Sequence, residues 1–507
     1  MINPIDGVIG FFNPVAGVRR AQARQALGVV RAYEAARQRP TDDGWVSGSG
    51  GPNSEVGGGL VLMRNRARQL VRDNPYAKRM IDILAAHEIG AGIVSQANTG
   101  DSVVDDAQQA AWRAWAETTQ CDADGRTNIY GLQCQIDVAR HESGEVLVRL
   151  RKRSRADAKR LGLTVPLQLQ VIEADYLDHT KNGPVEGGGY IVQGVEFNKR
   201  GQRVAYWIFK EHPGETYQHA IGNNISPMRI DAGEIIHVFK KQRPGQVRGV
   251  TTLHPVMMAL RDLQDYHGAL LMKAKVEACF SAFVRGSGGN PLTGEVKQGS
   301  SSLAKQETLQ PGSIFYVDDA EDVEFANPTN SDAHILLSQT YLRSIAVGGG
   351  VTHDQLTGDL TGANYSSLRA GKIDFRRLVE QWQWSGFIPQ FCEPVWRAFV
   401  QTGELAGLWE AAPIVAEHTP PGHEMIDPTK DTTALLQNVR AGFKSWPQAV
   451  REMGANPKTQ ASEIAAANKL FDDGGLVLDI DPRKVSRAGL TQARPDGTVL
   501  PPTNVED

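Results

Sequence analysis

LRSIAVGGGVTHDQLTGDLTGANYSSLR, residues 342–369, is the stretch on which the reading turns. An apolar-periodic helix ends in Gly348, Gly349 and Gly350. A loop follows with turn-forming points at Asp354, Gly358, Asp359 and Gly362, and a second helix is expected from Asn364. Three consecutive glycines give the backbone its greatest freedom, so an unrestrained hinge is expected there. A loop of about fourteen residues between two helices exceeds what packing needs, and such loops carry function. Its chemistry is sparse: His353 and two carboxylates. That points to a moving mechanical part.

Working outward, residues 1–60 read as a helix-capable arm (AQARQALGVVRAYEAARQR) and a Gly/Ser linker, GWVSGSGGPNSEVGGG, flexible by composition. One helix is expected over about 61–90 and another over 103–118 carrying Trp112 and Trp115. From 140 to 240 the pattern becomes alternating (EVLVRLR, LQLQVIE, YIVQGVEF, RVAYWIF, EIIHVF), which predicts a mostly antiparallel sheet. RKRSRADAKR, 151–160, reads as a basic loop between strands. Residues 252–283 predict one long helix with Pro255 in its first turn. A small α/β patch to about 328 follows, then a helix over 331–347, the loop, and a helix over 365–385 disturbed by Pro389 and Pro394. C-terminal helices are expected at 430–441, 446–453 and 460–471, before a tail rich in Pro, Asp and Gly.

The 507 residues suffice for two or three domains, and a net charge of −4 excludes a globally basic DNA-coating protein. Charge is uneven: residues 1–80 hold twelve Arg or Lys against six acids, and Asp318–Glu324 holds five acids in seven residues. Cys121, Cys134, Cys279 and Cys392 lack metal spacing and read as small buried residues in a reducing compartment. No secretory signal and no apolar run of membrane-spanning length are visible.

Searches for catalysis give nothing. GSGGPNSEVGGG lacks the strand and the Lys-Ser/Thr ending of a phosphate loop, HESGE is not HExxH, and no Gly-x-Ser-x-Gly elbow occurs. His141 and His237 fall in strand contexts without partners. No catalytic, cofactor or metal residue is assigned, and the chain is not expected to be an enzyme. Arg149–Arg160 carries seven basic residues in twelve without interleaved aromatics, so a solvated loop is favoured over a nucleic-acid contact.

GDLTGANYSSLRAG (358–371) resembles the most specific motif of the lambda-type portal proteins of tailed bacteriophages. RNRARQLVRDNPYAKRMIDILAAHEIGAGI (64–93), the strand runs at 141–150, 167–178 and 194–209, EIIHVFKKQRPGQVRGVTTLHPVM (234–257) and MIDPTKDTTALLQNVRAGFKSWPQAVREMGANP (425–457) agree with that family in order. The resemblance spans roughly 60–460. It implies a mixed α+β portal-like fold: arm and linker over 1–60, a β-rich wing over 61–250, and a first stem helix over 251–283. A clip over 284–330, a second stem helix over 331–347 and a tunnel loop over 348–364 follow. A long kinked wing helix and return over 365–425 and a helical crown and tail over 426–507 complete it. It implies a ring of about twelve copies with heterologous contacts, at one capsid vertex of the virion after assembly in the host cytoplasm. Double-stranded DNA would pass through it in packaging and ejection. Its partners would be the large terminase subunit, the major capsid and scaffold proteins and the head-tail connector, with no membrane. The channel residues implied are Gly348, Gly349, Gly350, Val351, Thr352, His353, Thr357, Leu360 and Thr361, short and mostly neutral, as a sliding contact needs; Lys or Arg would grip phosphate. Asn364, Tyr365, Ser366, Ser367 and Arg369 form the motif, with Asn364, Ser366 and Ser367 able to cap the next helix. Arg369, Lys372 and Arg376 share a helix face. For Lys372, Arg376 and Arg377 a solvated face and an ion pair to a neighbouring subunit stand as equals. The rivals are a ring-forming tail or baseplate protein and the packaging terminase itself; the missing phosphate loop argues against the latter.

Overall fold

The computed structural model describes residues 49–215, 226–279, 282–285, 314–317, 333–362, 364–425 and 427–476. Most of the expected arm, the acidic run Asp318–Glu324, most of the expected clip and the C-terminal tail lie outside these.

Two helices open the described chain, α1 (Pro52–Asp73) and α2 (Pro75–Glu88). They correct two expectations. The Gly57–Gly59 stretch is helical rather than linker, because Asn53 anchors the start of α1: its Oδ1 accepts from Val247 N at 2.8 Å and its Nδ2 donates to Gly245 O at 3.0 Å. The single helix over 61–90 is split at Asn74, whose Oδ1 accepts from the backbone N–H of Tyr76 (3.0 Å) and Ala77 (3.1 Å) while Pro75 takes the first helical position.

β1 (Val94–Ala97) pairs antiparallel with β12 (Ala416–Thr419), tying the two ends of the described chain together. α3 (Ser102–Ala116) and α4 (Ile129–Ser143) come next. Trp112 and Trp115, three positions apart on α3, meet Trp396 and Phe399, with Trp112 at 4.8 Å from Trp396 and 5.0 Å from Phe399 between ring centroids. Trp115 Nε1 donates to Leu167 O at 2.7 Å, so the buried indole keeps a partner.

The alternating region forms two antiparallel sheets. The first has order β3-β2-β9, from β2 (Glu145–Lys152), β3 (Leu167–Glu173) and β9 (Ile235–Phe239). The second is a five-stranded meander of β4 (Gly183–Val185), β5 (Gly189–Val192), β6 (Val195–Phe197), β7 (Arg203–Ile208) and β8 (Met228–Asp231). Successive side chains of β2 serve two cores. Val146, Val148 and Leu150 join the tryptophan core; Leu147 joins the core of the second sheet with Val195, Tyr206 and Ile230. The expected basic loop is in part a helix, α5 (Arg155–Leu161), capped by Ser154, whose Oγ accepts from Asp157 N at 3.1 Å.

α6 (Met257–Cys279) starts five residues later than the pattern suggested. β10 (Ala282–Arg285) and β11 (Ile314–Val317) pair in parallel. α7 (Ala333–Gly349), α8 (His353–Thr357) and α9 (Tyr365–Trp382) follow. A ten-residue π-helical stretch, Gln383–Cys392, carries the chain past Pro389 into α10 (Glu393–Ala406), so the proline widens the helix instead of ending it. Phe387 and Phe391 of that stretch are buried in the tryptophan core. α11 (Pro428–Arg440), α12 (Trp446–Glu452) and α13 (Pro457–Asp473) close the described chain. Cys121 and Cys392 are buried, as expected, but Cys134 is exposed.

His237 has a partner, contrary to the sequence reading. It bonds Glu145 Oε2 through Nε2 at 3.0 Å. Glu145, with no exposed surface, also takes Arg64 Nη2 at 3.0 Å, Arg248 Nη2 at 2.6 Å and Gly249 N at 2.9 Å. Arg248 continues to Gln193 O at 2.9 Å, and Arg64 and Arg68 reach Asp175 at 3.2 and 2.6 Å. Burial pushes the Glu145 carboxyl up, yet Arg248 and His237 hold it well below its ordinary value. Burial, outweighing Glu145, keeps His237 low and hence neutral near pH 7.

Glu145→Gln leaves two guanidinium groups buried without their anion, a change that costs about 3–5 kcal/mol. Urea unfolding at pH 7 checks it. A depressed carboxyl contributes stability above its unfolded value of 4.5, so the gap to the variant narrows as pH falls below that. A gap that is absent at pH 7, or that grows in acid, contradicts this role for Glu145.

Candidate channel-loop site

The glycine run is not the free hinge that its composition suggests. Gly348 and Gly349 lie inside α7. A Cβ on Gly348 would stand 2.5 Å from Val256 Cγ1, and one on Gly349 2.3 Å from Met80 Cε. Both positions need glycine because the backbone of α7 approaches α2 and the entry to α6 too closely for a methyl. Only Gly350 is left-handed, at φ +76°. It ends α7 with Gly350 N–H donating to Val347 O at 3.2 Å and Val351 N–H to Ala346 O at 3.0 Å, the 5→2 and 6→1 bonds of a Schellman ending.

The segment beyond Gly350 is ordered by its own bonds. Val351 and Leu356 are buried beside Met80, Ile345 and Phe375. Val351 therefore cannot present its side chain to a channel. Gln355 Oε1 accepts from Thr352 N at 3.0 Å, and Thr357 Oγ1 donates to His353 O at 2.8 Å, which makes 353–357 a short helix. Thr352, His353 and Thr357 are half-buried. The exposed tip is Gly358–Gly362, where Leu360 is 59% exposed beside Thr361. Asp359 organises this tip: its Oδ1 accepts from Thr361 N at 3.0 Å and Thr361 Oγ1 at 2.6 Å, bonds that hold the carboxyl below its ordinary value.

Asn364 caps α9, its Oδ1 accepting from Ser367 N at 2.8 Å, and Ser367 Oγ accepts from Asn364 N at 3.3 Å. This is the capping box expected of Asn364 and Ser367; Ser366 is exposed in the first turn. Tyr365 is the first residue of α9. The basic stripe finds partners within the chain. Arg369 Nη2 lies 3.2 Å from Asp431 Oδ1 on α11, Arg376 donates to the backbone carbonyl of Glu424, and exposed Arg377 lies 3.8 Å from Asp374. Lys372 is exposed. The inter-subunit role for Arg369's face thus meets an intramolecular competitor.

Beside Gly348–Gly350 lies a cavity of about 240 Å³, which also touches Glu88, Arg140, His141 and Lys240. His141, expected on a strand without a partner, sits on α4 in a buried ion cluster. Its Nε2 is 3.1 Å from Glu88 Oε2, and its Nδ1 is 2.9 Å from Thr252 Oγ1. Arg140 Nε bonds Asp137 Oδ1 at 2.9 Å, Arg140 also pairs with Glu88, and its guanidinium lies 4.1 Å from the Trp382 ring centroid. Burial and Arg140 oppose charging of His141; Glu88 and Asp137 outweigh them and raise it. The signal in the sequence was the 137/140/141 spacing, one face of a helix. It was hidden because the strand pattern was extended back over 141–143.

Two groups among the described residues have donor sets suited to a metal, Glu88–Asp137–His141 and Glu173–Asp175–His212. In each a guanidinium already bonds the carboxylates, Arg140 in the first and Arg68 in the second. The cation these carboxylates need is thus supplied by the chain.

Residues 38–383 match the model of the phage portal protein, lambda family. The chain belongs to the lambda family of phage portal proteins. A probable portal protein of Halomonas phage phiHAP-1 is 26% identical over 498 residues, covering 94% of this chain and 93% of that one. The portal protein of Escherichia phage N15 and portal protein B of Escherichia phage lambda are each 25% identical over 350 residues, 60% of this chain and 62% of theirs. Among solved structures, a chain in the neck of a native gene transfer agent particle aligns over 77% of this chain and 94% of its own, at TM-score 0.39 and 16% identity. One from the gene transfer agent virion aligns over 79% and 94%, at 0.40 and 15%. The family match ends at Gln383, the first residue of the π-helical stretch.

Alanine in a helix normally gains about 0.5–1 kcal/mol over glycine. At Gly348 the methyl meets β-branched, stiff Val256, and overpacking of about 1–3 kcal/mol wins. Gly348→Ala should lower the thermal midpoint. Gly349→Ala should lower it less, since the end of the Met80 side chain can shift, and Gly362→Ala, with open space around it, should leave it unchanged. Equal tolerance at all three positions would restore the free-hinge reading.

Proposed function

We propose that this portal protein assembles as a closed ring of about twelve copies at one capsid vertex and passes double-stranded DNA during packaging and ejection. In this reading α6 and α7 are the stem helices, and the sheets with α1–α4 and α9–α10 are the wing. The 284–330 segment is the clip that docks the large terminase subunit and later the head-tail connector, and 426–507 is the crown. The arm reaches a neighbouring copy or the capsid and scaffold. The chain does no chemistry of its own; the motor supplies ATP turnover.

Family membership carries the reading. The structure adds support for self-association. Met272 on α6 and Ile335 and Leu336 on α7 are 61–62% exposed, and Val347 on α7 is 81% exposed. Met258, Leu271 and Leu378 are exposed as well. A monomer rarely leaves so much apolar side chain on one group of helices, and a neighbouring copy is the natural cover.

The channel contact then narrows to the tip. Gly358–Gly362, with exposed Leu360 and Thr361, is the part free to touch DNA, while Gly348, Gly349 and Val351 fix its base. Its one charge, Asp359, is spent on Thr361 and repels phosphate, which suits passage without grip.

The double variant Met272→Asp/Leu336→Asp puts charge on this face without touching the cores. Mass photometry should show a large assembly for the parent and single chains for the variant, with unchanged circular dichroism. A variant that assembles like the parent would show that these faces are not the contact.

A further inference from the structure

The three C-terminal helices enclose an apolar groove that no described residue fills. Leu436 and Val439 on α11, Trp446, Val450 and Met453 on α12, and Ile464 on α13 line a cavity of about 420 Å³. Leu436, Trp446, Met453 and Ile464 are 39–49% exposed. The groove lies beyond the span of the family match.

The end of α13 and the residues after it indicate the occupant. The helix ends in a Schellman turn: Leu476 N–H donates to Phe471 O at 2.9 Å, Gly475 N–H donates to Asp472 O at 3.2 Å, and Gly475 is left-handed at φ +64°. Such a turn reverses the chain and sends it back along the helix it has left. The next residues read Leu476-Val477-Leu478-Asp479-Ile480, and Val477 onward lies outside the described residues. In an extended chain Leu476, Leu478 and Ile480 face one way and Asp479 the other. On α13, Ile464, Ala467, Asn468 and Phe471 share one face, a track from the turn to the groove. The lengths agree. Four extended steps cover about 13 Å, and Gly474 back to Ile464 is about 15 Å of helix. Pro482 then stops the strand-like run.

We propose that the chain's own segment Leu476–Ile480 doubles back and seats Leu478 and Ile480 in the α11–α13 groove, closing the C-terminal helices into a packed unit.

The test uses the full-length protein with Ile464→Cys as a reporter, its alkylation rate read by site-resolved peptide mass. The rate should be slow, should not change on dilution, and should rise several-fold on adding Leu478→Asp/Ile480→Asp. Cys121, buried in the tryptophan core, must stay unlabelled in the Asp variant; if it does not, Leu478→Ala/Ile480→Ala is read in its place. Fast labelling in the parent, or equal rates with and without the tail substitutions, overturns the proposal. Protection that disappears on dilution overturns it too, because a second copy and not the chain's own tail would then cover the groove.

Discussion

One carboxylate organises the contact between helices and sheets. Glu145 is buried at the start of the central strand β2, and its four donors come from three distant segments. Arg64 is 81 residues away on α1, His237 is 92 away on β9, and Arg248 and Gly249 are 103 and 104 away on the approach to α6. A charge in such a place is costly to leave unpaired. The only arrangement that pairs it brings α1, the first sheet and the start of α6 to one point. Such a cluster adds little net stability over a well-packed apolar core; it selects one register among those that apolar packing alone would tolerate. The second cluster, around Arg140 and His141, extends the same logic to α2, α4 and the end of α9.

These two points set what the loop after α7 can do. The close approach of Gly348 to Val256 and of Gly349 to Met80 joins α7 to the frame that Glu145 and Arg140 hold. Val351 and Leu356 extend that attachment past Gly350. Motion is therefore confined to the tip around Asp359, which is short and built from side-chain-to-backbone bonds that break and reform locally. A rigid base with a small exposed tip that carries no cation is a suitable surface for a polymer that must slide.

Much of this was legible in the residues. Period-two alternation gave the strands, including β2, β3 and β9, and the spacing of Trp112 and Trp115 marked one buried helix face. The capping of α9 by Asn364 was readable because a cap is local. The features that could not be read depend on partners far along the chain. Gly57–Gly59 looks like linker until Asn53 is seen bonded to Gly245 and Val247. Gly348 and Gly349 look like a hinge until Val256 and Met80 stand against them. Asn74 fits a helix interior as well as a cap, and Pro389 reads as a stop because the π-helical stretch that absorbs it is stabilised by the burial of Phe387 and Phe391. Arg369 and Arg376 were candidates for a neighbouring subunit, and Asp431 and the Glu424 carbonyl, in another region of the same chain, hold them instead.

Electron micrographs of the purified full-length protein, averaged without imposed symmetry, test most directly whether this frame closes a ring around DNA. Closed rings are expected, with a central hole wide enough for a DNA duplex and narrow density projecting into that hole at the level of the loop tip. Single particles of one chain, open filaments, or rings whose loop tips face outward would contradict it.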